Sequence, residues 1–149
     1  MSMGNFKQQE MMEIHIHFLF QKELTLSDTS NHQCKLIIPK KDVEERFLTF
    51  WTREQIKEGV PLQVFDMDEG RELLNEIFIL KYHESCDTYV FQNGWHQFVR
   101  RKNLKDGHIV EFRWNSWSSR ILFNTHQQDP APPGKIYYFS ASFNLFLSL

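Results

Sequence analysis

A chain of 149 residues carrying 14 Phe and 4 Trp is long enough to bury the core of one domain, and 24 % charged side chains is ordinary for a soluble one. The longest apolar runs are too short to span a bilayer. A net charge of −2 excludes a uniformly basic surface but not a local patch, because Lys35, Lys40 and Lys41 cluster in one place, Arg100, Arg101, Lys102 and Lys105 in another, and acids gather at Glu44, Glu45, Asp66, Asp68 and Glu69.

Residues 1–16 read as an N-terminal extension; Gln, Glu and His interrupt its apolar residues, unlike a signal peptide. "FLFQKEL" (18–24) reads as the first strand. A dozen small polar residues without Gly then interrupt it before "KLII" (35–38) resumes, too many for a plain hairpin. Pro39 opens a two-turn helix, "KKDVEERF", with Val43 and Phe47 on one face. Residues 61–82 read as two strands joined through Asp68-Glu69-Gly70. A second polar interruption, "HESCDT" (83–88), precedes the strand "YVFQ". The clearest helix is 93–103, with Trp95, Phe98 and Val99 on one face and cations at its C-terminal end. Asp106-Gly107 turns the chain into "HIVEFRW", where Val110, Phe112 and Trp114 alternate inward, and "NSW" leads to "SRILF". About seven strands and two short helices predict a mainly β fold, a small closed or half-closed barrel. The domain proper spans 17–124. Residues 125–149 read as a Pro-rich linker and an apolar tail, which suits a further strand, a surface for a protein partner, or an unpacked remnant.

Other chemistry is weakly signalled. His15 and His17 share one face of a strand, but no further ligand lies near, so no metal is expected. Cys86 lies near His83 and Glu84 without an oxyanion element, and the acids lack the paired spacing of a hydrolase. Cys34 and Cys86 are isolated, which argues against a disulfide framework and fits a reducing compartment. Arg100, Arg101 and Lys102 read as a solvated helix end. Trp95, Trp114 and Trp117 read as core or barrel-rim aromatics. Neither an enzyme, nor a cofactor, nor a small-molecule substrate, nor a membrane is expected.

Three stretches in order, "KELTLSDTSNHQCKLIIPKKDVEERF" (22–47), "YVFQNGWHQFVRRKNLKDGHIVEF" (89–112) and "NSWSSRILF" (115–123), resemble the plant-specific B3 DNA-binding domain family. The resemblance covers about residues 18–123. It implies a seven-stranded open pseudobarrel with two short α-helices, whose two polar arms straddle the major groove of double-stranded DNA in a nuclear transcriptional regulator. The first interruption, 25–35, becomes the N-terminal arm, and "KYHESCDT" (81–88) the C-terminal one. Expected DNA contacts are Lys22, Thr25, Ser27, Ser30, Asn31, His32, Gln33, Lys35 and Lys40, with Lys81, His83, Ser85 and Asp87 from the second arm. Hydroxyls and amides suit base edges, and lysines suit phosphates.

The chain departs from the family pattern in four places. Lys35 stands where many members carry Arg, and the first arm is one residue longer. The second arm offers His83-Glu84-Ser85-Cys86-Asp87 in place of a Trp-Asn-Ser element, and His108 replaces an Asp. Two carboxylates beside DNA repel phosphate. They point to an alternative, a protein-interaction module on the same barrel that has lost DNA affinity.

Overall fold

The structure is a computed structural model that describes residues 15–126, and the N-terminal extension before His15 and the linker and tail after His126 lie outside it. Seven strands make one sheet: β1 Ile16–Glu23, β2 Leu36–Ile38, β3 Val60–Asp66, β4 Arg71–His83, β5 Thr88–Asn93, β6 Ile109–Asn115 and β7 Arg120–His126. Their spatial order is β1-β6-β7-β3-β4-β5-β2. The β3–β7 pair is parallel and the rest are antiparallel. The sheet is not closed, since β1 and β2 are its two edges. The expected mainly β class and strand count therefore hold.

Phenylalanine fills the inside. Phe20, Phe47, Phe78, Phe91, Phe98, Phe112 and Phe123 are all fully buried, together with Trp95. Phe20 stacks on Phe112 at 4.9 Å between ring centroids, and Phe98 meets Phe123 edge-on at 4.5 Å, geometries the ring quadrupole favours. Val110, Phe112 and Trp114 are buried along β6 as expected, but the polar Glu111 between them and Asn115 after them are buried as well. Trp117 departs from the expectation: it sits in the β6–β7 turn, 66 % exposed.

The two expected helices are present as Lys40–Arg46 and Trp95–Lys102, and two more accompany them. In chain order they are α1 Leu26–Thr29, α2 Lys40–Arg46, α3 Arg53–Glu58 and α4 Trp95–Lys102, with 3-10 turns at Phe47–Thr49 and Glu84–Cys86. The signal for α3 is local. Thr52 accepts from Gln55 N (3.1 Å) while Gln55 Oε1 accepts from Thr52 N (2.8 Å), a capping box. Gly59 ends the helix at φ 103°, where a side chain would also crowd Ile79.

Of the cations at the end of α4, Arg100 is exposed as expected, but Arg101 and Lys102 are not simply solvated. Lys102 Nζ lies 2.9 Å from the buried Asp66 carboxylate and 3.4 Å from Asp68, and Arg101 reaches Glu69 at 3.2 Å. The acidic β3–β4 turn and the basic helix end, separate in the chain, are one ionic cluster in the fold. Its consequence is positional. Asp68 also accepts from Thr125 N and Oγ1, which keeps β7 running to His126, two residues into the stretch read as linker.

Candidate nucleic-acid interface

The first polar interruption begins as a capped helical turn. Thr25 caps α1, accepting from Asp28 N, while the Asp28 carboxylate accepts from Thr25 N (2.9 Å) and Thr25 Oγ1 (3.0 Å). Asp28 is buried and also receives Lys22 Nζ at 3.0 Å and Ile37 N at 3.4 Å. Lys22 Nζ continues to Ile37 O at 2.8 Å. Ile37 is the middle residue of edge strand β2, so its N–H and C=O point into the seam where the sheet fails to close. Asp28 and Lys22 satisfy both groups, as an edge requires. Trp95 Nε1 donates to Asp28 O at 2.8 Å, tying the turn to α4. Lys22, Thr25 and Asp28 thus hold the base of the arm.

Beyond that base the arm opens outward. Ser27, Asn31, His32, Gln33 and Cys34 are exposed, Ser30 is half-buried and accepts from His32 N at 3.1 Å, and Leu26 is 73 % exposed. The arm has no Gly, but Cys34 takes the left-handed region at φ 55° and turns the chain back into β2.

The second arm is the β4–β5 hairpin tip. Asp87 adopts φ 49° and closes the 3-10 turn, a conformation Asp tolerates. Its carboxylate accepts from Lys40 Nζ at 2.7 Å and Tyr82 OH at 2.5 Å. Those two bonds hold the Asp87 carboxyl below the ordinary range and raise the Lys40 ammonium and the Tyr82 phenol. Glu84 pairs with Lys57 of α3 at 3.0 Å, which raises Lys57. Both carboxylates of this arm are therefore answered by lysines from neighbouring helices. Ser85 and Cys86 are exposed at the tip.

Between the arms lies the outward face of β2, β5 and β4. Leu36, Ile38, Tyr89, Phe91, Phe78 and Leu80 face the core, so alternation turns Lys35, Ile37, Gln92, Lys81 and His83 to the opposite face, where Val90 is itself fully covered. Ile37 and Lys81 both lie opposite Val90, and His83 Nε2 sits 2.9 Å from Gln92 Oε1. Neither Lys35 nor Lys81 is held in an ion pair among the described residues. The first arm enters β2 beside Phe91, and the second ends at Asp87. These points lie four steps apart along the chain, roughly 13 Å at about 3.3 Å per residue.

Of the predicted contacts, Ser27, Asn31, His32, Gln33, Ser85 and Asp87 thus stand on two exposed arms at opposite ends of a floor that carries Lys35, Lys81 and His83. Lys40 borders the second arm. Lys22 is mostly buried against Asp28, and Thr25, although exposed, is engaged in the α1 cap. The sequence reading missed Asp28, Arg53 and Lys57, although the Thr52-x-x-Gln55 capping pattern marks the helix bearing the last two.

Comparison with known proteins then fixes the family. The model described as B3 domain-containing protein At5g26805, C-terminal domain, matches residues 19–125. The chain belongs to the B3 domain family. Among relatives, an Arabidopsis thaliana AP2/ERF and B3 domain-containing transcription factor, At1g51120, is 35 % identical over 97 residues, 63 % of this chain and 27 % of its own. The Arabidopsis thaliana B3 domain-containing protein At2g36080 is 34 % identical over 112 residues, 74 % of this chain and 39 % of its own. The chain thus spans well under half the length of these curated relatives. Among solved structures, the Arabidopsis FUS3–DNA complex superposes with a TM-score of 0.60 at 27 % identity, covering 75 % of this chain and 99 % of that one. The B3 fold read from the three sequence stretches is the fold found.

No helix among the described residues is long and apolar enough to cross a membrane. Nor does any group of three His, Cys, Asp or Glu among them lie close enough to hold a metal. His15 and His17 instead share Ser116, at 3.2 and 3.5 Å from its hydroxyl.

Proposed function

We propose that this chain binds double-stranded DNA sequence-specifically, laying its two polar arms in the major groove, as part of a plant nuclear transcriptional regulator. The observation that carries the reading is the pair of exposed arms, whose attachment points lie about 13 Å apart across a floor with two unpaired lysines, in a chain that matches a B3 structure solved on DNA. B-DNA's major groove is about 12 Å wide, so arms at this spacing can bracket it. Relatives named as transcription factors support the regulatory role and, through it, a nuclear location. Division of labour follows from side-chain chemistry. Asn31, His32, Gln33, Ser27, Ser30 and Ser85 supply donors and acceptors for base edges, while Lys35, Lys81 and Lys40 supply point charges for phosphates. The proposed activity is binding and includes no catalytic step.

Selection from a random duplex pool tests it, with enrichment of one motif as the expected result. On that motif, Gln33→Ala costs about 1–3 kcal/mol and relaxes one base position, with little effect on random DNA. Lys35→Ala weakens motif and random DNA by similar factors and flattens the salt slope by about one. A folded protein that enriches nothing, and whose affinity neither substitution changes, overturns the reading in favour of a protein-interaction module.

A further inference from the structure

Three cations from two helices converge on one cleft beside the second arm. Lys40 opens α2, Arg53 and Lys57 lie on α3, and Tyr82 and Tyr89 form the wall, around a space of about 280 Å³. Each cation has a carboxylate: Lys40 with Asp87 at 2.7 Å, Lys57 with Glu84 at 3.0 Å, Arg53 with Glu44 at 3.6 Å. Arg53 also donates to Tyr89 OH at 3.2 Å. The fold contains two kinds of ion pair, and exposure separates them. In Lys22–Asp28 and Lys102–Asp66 the acid side chain is wholly buried and the lysine nearly so, so the partners cannot exchange without stranding a buried charge. Around the cleft every partner is at least 44 % exposed, and such pairs contribute little and are readily exchanged.

We propose that this cleft is a second phosphate-binding surface, for the DNA backbone that passes outside the second arm, and that Glu84 and Asp87 occupy it as stand-in anions until DNA displaces them. The inference rests on the DNA-binding reading above. In the free protein the lysines hold the arm's carboxylates. On DNA, Lys57 and Lys40 transfer to phosphate, and the released carboxylates become available to accept from cytosine N4. The arm's acidity then restrains affinity without abolishing it.

A simpler role for the same pairs, pinning the arm to the helices, predicts the opposite sign for one substitution. Glu84→Gln removes the stand-in anion at a highly exposed side chain and leaves the fold intact. Affinity for a random-sequence duplex, measured by fluorescence anisotropy across a KCl series, then rises severalfold at low salt. The plot of log affinity against log salt steepens by about 0.9, the contribution of one newly available lysine. Adding Lys57→Gln to Glu84→Gln removes both gains. Unchanged or weakened binding by Glu84→Gln overturns the proposal, and so does a gain that survives in the double variant or one matched by Glu58→Gln, an exposed acid whose removal changes the net charge equally, since a matched gain marks a long-range charge effect without a Lys57–phosphate contact. If wild type and variants, folded by circular dichroism, bind no duplex at any salt, the DNA-binding reading itself falls and this inference with it.

Discussion

Asp28 is the residue on which the first arm depends, and Asp28→Ala tests that dependence directly. Its buried carboxylate takes Lys22 Nζ, Thr25 N, Thr25 Oγ1 and Ile37 N, and its carbonyl takes Trp95 Nε1. Removing the carboxylate strands a mostly buried ammonium and three donors at once. Breaking a buried ion pair from one side costs roughly 3–5 kcal/mol. Loss of the capping interaction, about 1 kcal/mol alone, is not added, because the same oxygens serve both roles. The expected loss is therefore about 3–5 kcal/mol, a large part of the roughly 5–15 kcal/mol that holds a domain of this size together. Urea unfolding followed by tryptophan fluorescence measures it, with Asp42→Ala as the comparison. Asp42 also pairs with a cation, Arg46, but on a partly exposed helix face, where such a pair contributes at most about 1 kcal/mol. Should Asp28→Ala cost no more than Asp42→Ala, the carboxylate does not organise the seam, and the account of why the barrel stays open at β1 and β2 is wrong.

Other substitutions separate burial from exposure and set a pH dependence. Trp114→Ala should cost roughly 3–5 kcal/mol in the same urea assay, whereas Trp117→Ala, on an exposed side chain, should stay within about 0.5 kcal/mol of wild type; equal losses would contradict the placement of the hairpin. His126 is lowered from its ordinary 6.5 because burial disfavours the imidazolium. Its contribution to stability is complete above pH 6.5 and is lost as pH falls through the folded value, since the unfolded chain takes up the proton first. Urea midpoints for His126→Gln should therefore fall less than wild type's on acidification from neutral pH, and parallel curves would remove His126 from the account.

Much of the fold was legible because its signals are local and periodic. Val43 and Phe47 four apart, Trp95, Phe98 and Val99 on one helical face, and the alternation along β6 each name their core residues, and all are buried. What escaped was of two kinds. The helix α3 carries only Ile56 as a buried apolar residue, so it has no apolar stripe to read, and its evidence is the Thr52–Gln55 cap and the terminating Gly59. Trp117 escaped for the opposite reason. Its residue type argues for burial, yet the turn in which it sits is held by Asn115 Oδ1 accepting from Trp117 N and Ser118 N, a local bond that needs no buried ring.

Charge was the part of the site least visible from the chain, because a charged residue's role depends on what it meets across tens of residues. Lys22 and Lys35 flank the same arm and look equivalent in sequence. Lys22 lies opposite Val110 on edge strand β1, within reach of the seam, and is absorbed by Asp28 and the Ile37 carbonyl. Lys35 precedes β2 and, one step out of phase with the buried Leu36, turns away from the core. Arg101 and Lys102 read as a free basic end, but Asp66, 36 residues from Lys102, takes the lysine into a mostly buried pair. In the opposite sense, Glu84 and Asp87 look like an obstacle to any polyanion, and the helices α2 and α3 bring a lysine to each. Net charge therefore misjudges this surface in both directions. Cations that outnumber acids locally can be spent internally, and acids that dominate a loop can be neutralised from a neighbouring element. What decides whether a charge is available to a ligand is the burial of its partner, since an exposed pair exchanges readily and a buried one does not.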